Sequence, residues 1–185
     1  MTGRDVPMFR FLQPLATLPT LLLLAVLPVA VQLATGCSVR PAASDIPQNL
    51  RVPDGQDLAF QAHGQGVQIY TWNAAKAAWT GPAPRALLLI DDGVVGFHSE
   101  GPTWQCDDGS AIVGAKMAAE VVDPAAIPWL LINVTKASGA GTLAGITFVQ
   151  RLRTAGGHAP STPGTVDGEQ RLVPYTADYL FYHPR

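Results

Sequence analysis

From residue 57 onward, apolar and polar positions alternate, and the chain reads as a succession of short strands. Leu58, Phe60 and Ala62 alternate with Ala59, Gln61 and His63. Beyond Gly64-Gln65-Gly66, Val67, Ile69 and Thr71 alternate with Gln68, Tyr70 and Trp72. A period of two marks a strand with one face buried, so this stretch predicts a hairpin turning at Gly64–Gly66. Two more hairpins come after it. Ala86–Ile90 and Val94–His98 flank Asp91-Asp92-Gly93, and Thr103–Cys106 and Ala111–Lys116 flank Asp107-Asp108-Gly109-Ser110. Asp-Gly between apolar runs is a strong hairpin signal. Trp129–Thr135, Ile146–Thr154 and Val173–Tyr182 predict further strands, with a Gly/Pro/Ser/Thr loop running from Gly156 to Gln170. Ala74–Ala78 and Met117–Val122 hint at helix, and both are short. The pattern predicts an all-β sandwich or barrel built from successive antiparallel hairpins, with little helix beyond an N-terminal signal segment.

The first 37 residues break this pattern. Arg4 and Arg10 precede an apolar run from Leu15 to Leu33, and Ala34-Thr35-Gly36 then leads into Cys37. A positive start, an apolar middle and small residues at the cut are the marks of a secretory signal. The cysteine directly after the small residues points to lipid attachment. An uncleaved transmembrane helix is an alternative, but Pro14, Pro19 and Pro28 interrupt the run, and proline inside a helix removes a hydrogen bond and clashes with the preceding turn. Ordinary cleavage near Ala34-Thr35-Gly36 or Pro41-Ala42-Ala43 is the other alternative. The reading adopted is a lipoprotein signal over 1–36, a flexible tether over 37–50 and a single β domain over 51–185. It implies export and anchoring in the bacterial cell envelope through Cys37. Ser38 follows it rather than Asp, which by resemblance to sorted lipoproteins favours the outer membrane.

Removing 1–36 from the 185 residues takes away two basic and one acidic residue, leaving 149 residues with a net charge of −3. That length supports one domain with a sizeable core. No basic stripe is present, so nucleic acid is not an expected partner. The chain has two cysteines. With Cys37 lipidated, Cys106 has no intramolecular partner, which excludes a disulfide scaffold. It reads as a small buried hydrophobe, because Asp107 and Asp108 beside it disfavour a thiolate.

Few motifs carry chemistry. Gly139-Ala140-Gly141-Thr142-Leu143-Ala144 matches a dinucleotide fingerprint, but it runs on into the strand-like Ile146-Thr147-Phe148-Val149. The fingerprint needs a helix opening on the glycines, so this reads as a glycine-rich hairpin loop and no cofactor is expected. The histidines (His63, His98, His158 and His183) form no H-x-H or H-x-x-x-H pair, and the Asp-Asp-Gly pairs read as turns, so no metal is expected. His98, with Glu100 nearby and Asp108 downstream, is a weak catalytic candidate set, since a His–carboxylate pair can do general acid–base work. The competing reading is a histidine that holds a loop at a strand end. Trp104, Gln105 and Tyr175 are weak ligand-binding candidates. Asn133-Val134-Thr135 fits a glycosylation acceptor but lies within a predicted strand.

Several pieces carry a resemblance: Gly66-Val67-Gln68-Ile69-Tyr70, Gly101-Pro102-Thr103-Trp104, Asp108-Gly109-Ser110, Ile127-Pro128-Trp129-Leu130-Leu131, Thr154-Ala155-Gly156-Gly157 with Ala159-Pro160, and Val173-Pro174-Tyr175-Thr176-Ala177-Asp178-Tyr179 with Phe181-Tyr182. In this order they resemble a family of secreted bacterial and fungal proteins catalogued as a domain of unknown function, the one numbered 3455. The resemblance implies relatives and no activity. Some fungal relatives carry a malate dehydrogenase label, against which the glycine loop argues here. Relatives often place one cysteine just after Gln-Ile-Tyr and another after the Gly-Gly…Ala-Pro motif; this chain has Trp72 near the first place and Thr162-Pro163-Gly164-Thr165 at the second. If those cysteines pair in relatives, the resemblance implies that position 72 lies near residues 162–165.

The function expected from these readings is a non-catalytic binding or envelope-interaction module. It is motivated by aromatics near turns: Tyr70, Trp72, Trp79, Trp104, Tyr175 and Tyr179. A hydrolase-like small-molecule enzyme centred on His98 and nearby carboxylates is the alternative, and a purely structural role the third.

Overall fold

A computed structural model describes residues 45–185. The signal over 1–36, Cys37 and the tether up to residue 44 lie outside the described residues. Eight antiparallel strands follow in chain order: β1 (Gln56–Asn73), β2 (Ala78–Ile90), β3 (Gly93–Ser99), β4 (Thr103–Cys106), β5 (Ala111–Glu120), β6 (Trp129–Ser138), β7 (Phe148–Gly156) and β8 (Gln170–Pro184). Each pairs with the next, and β8 returns to pair with β1, which closes the sheet into a barrel-like ring. Closure removes exposed sheet edges. The expected all-β architecture of consecutive hairpins is therefore present, in its barrel form.

The turns show why the hairpins form where they do. Ile90 pairs with Gly93 across Asp91 and Asp92, and both aspartates have positive φ, 48° and 64°. A two-residue hairpin of this hand needs left-handed backbone at both central positions, which Asp tolerates. The glycine loop expected between β6 and β7 is in place, running on to Thr147 before β7 begins.

Two expectations about local structure fail. Gly64-Gln65-Gly66 is not a turn; β1 runs straight through it to Asn73. The glycines serve close approach instead. A Cβ on Gly64 would stand 2.4 Å from Tyr179 Cε2, and one on Gly66 would stand 2.1 Å from the Arg85 carbonyl oxygen. The strand's turn is the 3-10 segment Ala74–Lys76, where the Asn73 side chain accepts from the Lys76 N–H. The helix hinted over Met117–Val122 is absent too, since 117–120 complete β5 against β6.

Alternation sorts the side chains into two cores. The interior cluster includes Ala62, Leu88, Trp104, Ile112, Ile132, Val149, Ala177, Tyr179 and Phe181. A second cluster of Ile46, Leu50, Leu131, Leu152, Leu180 and Tyr182 takes the opposite positions of β6, β7 and β8. Register explains the pairing of rows: Leu131, Gln150 and Leu180 stand side by side across these three strands, and so do Leu130, Arg151 and Tyr179 one residue along. The first row is covered by Leu50, which is fully buried. The Gln150 side chain donates to the Leu50 carbonyl oxygen at 2.6 Å and accepts from the Tyr182 hydroxyl at 2.7 Å. Residues 46–50, expected at the end of a flexible tether, are thus packed onto the barrel.

Trp72 lies against the long loop, as the resemblance implies. A Cβ on Gly164 would meet Trp72 Cγ at 2.4 Å. Trp79 stands edge-on to Trp72, 5.3 Å between ring centroids, and its indole N–H donates to the Thr162 carbonyl oxygen at 3.0 Å.

Candidate functional site

The sequence-derived candidates separate in space. Glu100 is exposed in the β3–β4 turn, and Asp108 sits in the β4–β5 turn at the other end of β4. Asp108 is committed to loop structure: its carboxylate accepts from the Ser110 N–H and hydroxyl and from the Thr142 N–H, at 2.9, 2.6 and 2.7 Å. Those bonds, the Ser110 hydroxyl first, hold its pKa well below the usual carboxylate range. Gln105 faces solvent, alternating with Trp104 and Cys106, which face inward. Tyr175 is buried, its hydroxyl 3.2 Å from that of Tyr179. His98, Glu100 and Asp108 therefore form no common cleft.

His98 belongs to the interior instead. Cross-strand register sets Ala86, His98, Trp104 and Ile112 in one row across β2 to β5. The imidazole lies flat on the Trp104 indole, centroids 4.6 Å apart and planes within 12°, with Tyr179 tilted against it at 5.1 Å. Its Nδ1 is 2.9 Å from the Thr103 carbonyl oxygen. A carbonyl only accepts, so Nδ1 carries the proton and Nε2 is left as an acceptor. Burial lowers the His98 pKa to about 4, against a raising effect of the Thr103 bond, and nearby Arg151 lowers it further. The ring is neutral at physiological pH, and it also does the loop-holding expected of it.

His98 and Trp104 border a cavity of about 120 Å³ inside one end of the ring. Gln68, Arg151 and Tyr179 complete its polar side. Pro82, Pro84, Pro102, Leu130 and Ile132 form its apolar side. Pro82 and Gly101 are exposed and stand at its rim. Gln68 is fully buried, yet neither its amide nitrogen nor its amide oxygen has a hydrogen-bond partner, and the buried Trp104 indole N–H has none either. Arg151 reaches in from β7. Its Nε and Nη2 donate to the Pro128 carbonyl oxygen at 3.1 and 2.7 Å. Desolvation lowers its pKa, and the Tyr179 and Tyr175 hydroxyls offset part of that. Burial likewise raises the pKa of Tyr179, with Tyr175 adding to it. Among the described residues Arg151 makes no ion pair.

Small-molecule sites are concave, mostly apolar and carry a few convergent polar groups, and this cavity has that make-up. The sequence pattern sets Gln68 among the polar positions of a strand and gives Arg151 no part in a motif. The signal that points to Gln68 is the break in the inward apolar series of β1, where it falls between Gly66 and Tyr70 on the face that carries Ala62. A second polar group lies apart from the cavity. His63 and Asp178 face each other across β1 and β8 with Nδ1 and Oδ1 2.9 Å apart, and Arg153 pairs with the same carboxylate. Arg153 has a φ of 46° at an irregularity in the β7–β8 register. Among the described residues no group of three or more His, Cys, Asp or Glu side chains is placed to hold a metal ion.

Fold and site together describe a small antiparallel barrel with a mostly apolar cavity that carries a few polar groups. The chain belongs to the family described as protein of unknown function (DUF3455), which it matches over residues 89–183, just over half of its length. The matched span holds His98, Trp104, Arg151 and Tyr179, while Gln68 precedes it. Comparison with curated proteins found no match, nor did comparison with solved structures.

Proposed function

We propose that the protein is a non-catalytic binding module of the bacterial cell envelope that takes a small molecule into the cavity bounded by Gln68, Trp104 and Arg151. The observation that carries this reading is the buried, unpartnered amide of Gln68 beside the unpartnered Trp104 N–H. Burying a polar group without a partner costs about 1–3 kcal/mol. Both residues line one cavity while these polar atoms are themselves covered, and a polar ligand that draws them toward it offsets the cost when bound. The test is a thermal-shift screen of the full-length protein against small polar organic molecules, repeated with Gln68→Met. Methionine keeps the unbranched shape and removes the amide, so the variant folds at least as stably. Ligands that favour the native state raise its melting temperature. Hits on the wild type that vanish in Gln68→Met support the reading. A screen without hits, or hits that shift both proteins equally, overturns it.

The same proposal places the chain outside the cytoplasm, lipid-anchored at Cys37 in the outer membrane, with no nucleic-acid partner. The basic start, the apolar run and the small residues before Cys37 support it. Cys37→Ser abolishes labelling by a fatty-acid probe; equal labelling of variant and wild type overturns the anchor.

A further inference from the structure

We infer that the ligand is a small organic acid, a carboxylate on a compact apolar or aromatic body, with its carboxylate bound by Arg151, Trp104 and Gln68. This rests on the binding reading above and specifies its ligand.

Three features of the cavity select this chemistry. The first is charge. Arg151 brings a guanidinium into a lining that contains no carboxylate, and among the described residues nothing pairs its charge. Arg151 is partly buried; a charge drawn out of water is ordinarily paired, and an arginine fork matches a carboxylate in two parallel hydrogen bonds.

The second is the balance of donors and acceptors. Arg151 and the Trp104 indole can only donate, and neither side chain accepts. The Trp104 N–H is unpartnered, and the Gln68 amide adds two more free donors and one acceptor. The donor excess calls for a head group rich in acceptors. His98 supplies a neutral ring rather than a second cation, so a monoanion suffices.

The third is size and polarity. Pro82, Pro84, Pro102, Leu130 and Ile132 leave the rest of the wall apolar. The cavity of about 120 Å³ is close to the size of engineered cavities, about 150 Å³, that hold a benzene ring. A long-chain molecule does not fit inside such a space.

The test is isothermal titration of the full-length protein in detergent with benzoate, benzyl alcohol and benzylammonium, which share a ring and differ in head-group charge. Empty micelles titrated with each compound provide the reference. Benzoate binds at least tenfold more tightly than benzyl alcohol, and benzylammonium does not bind. Arg151→Gln removes the preference, leaving benzoate no tighter than the alcohol. The comparison of the three probes on the wild type stands even if that variant fails to fold. If benzyl alcohol or benzylammonium binds as tightly as benzoate, the cavity binds ligands and the carboxylate inference is wrong. If folded Arg151→Gln retains the preference for benzoate, the role given to Arg151 is wrong. If none of the three binds while the broader screen yields hits that depend on Gln68, the ligand class fails and the binding reading stands. If neither gives binding, both fail.

Discussion

The His98 imidazole lies flat on the Trp104 indole, 4.6 Å away, in the row that crosses β3 and β4. Burial at this place makes a charged His98 costly, and nearby Arg151 adds to that cost. Its pKa falls to about 4 in the folded protein from an ordinary 6.5. Between those values the unfolded chain takes up a proton that the native protein refuses, so stability falls as pH drops from 6.5 to 4 and levels off below. The full loss is about 3 kcal/mol, since each tenfold weakening of proton affinity is worth about 1.4 kcal/mol. Urea titrations at pH 7 and pH 4.5 check this. In His98→Phe the difference between the two pH values shrinks; an unchanged difference sinks the assignment.

Trp72 and Gly164 make a second close contact, with no room for a side chain on the glycine. Gly164→Val forces the indole or the loop aside. Overpacking of this kind costs about 1–3 kcal/mol, read as a lower urea midpoint. The loop carries Thr162, whose carbonyl holds Trp79, so the same variant alters the fluorescence of a more exposed Trp72 and Trp79, shifting their emission to the red. An unaltered midpoint and spectrum would show that the loop packs elsewhere.

These contacts mark what the sequence disclosed and what it hid. The strands were legible because one buried face imposes a period of two, and the β2–β3 and β4–β5 turns because Asp and Gly suit their backbone. Gly64–Gly66 misled because glycine serves two purposes. There it makes space for the Tyr179 ring and the β2 backbone, and nothing local distinguishes that from a turn. The cavity was hidden for a different reason. Gln68, Arg151 and Tyr179 meet only because β8 lies between β1 and β7 in the closed ring, and their meeting depends on register. His98 stands out in sequence for Glu100 and Trp104 close by; in space Trp104 stays against it, joined by Tyr179, while Glu100 and Asp108 do not converge on it.

Cys106 tests the interior of the ring by reactivity. It is buried on the same face of β4 as Trp104, and burial, with Asp108 and Asp107 adding to it, pushes its thiol up to about 11. At pH 8 the reactive thiolate is then about a thousandth of the total. In Cys37→Ser, which leaves Cys106 as the remaining cysteine, a thiol-reactive dye labels the native protein at least about 100-fold more slowly than the denatured chain. Native labelling as fast as denatured labelling would place Cys106 at the surface.

The segment ahead of β1 separates two views of where the domain begins. If it were a tether, substitutions in it would leave stability alone. Leu50 instead has no exposed surface and belongs to the cluster with Leu131, Leu152 and Leu180. Truncating a leucine so buried costs about 2–5 kcal/mol, from lost transfer energy and the cavity left behind. Leu50→Ala in the full-length chain therefore lowers the urea midpoint by an amount in that range. Gln150→Leu supplies an independent check. It strands the Leu50 carbonyl that the amide now satisfies, at about 1–3 kcal/mol for a buried group left without its partner. Because both changes loosen the packing of the same segment onto the barrel, their costs couple and do not simply add. Costs that add fully, or a Leu50→Ala midpoint equal to the wild type's, would mean that residues 46–50 do not hold the outer face of β6, β7 and β8.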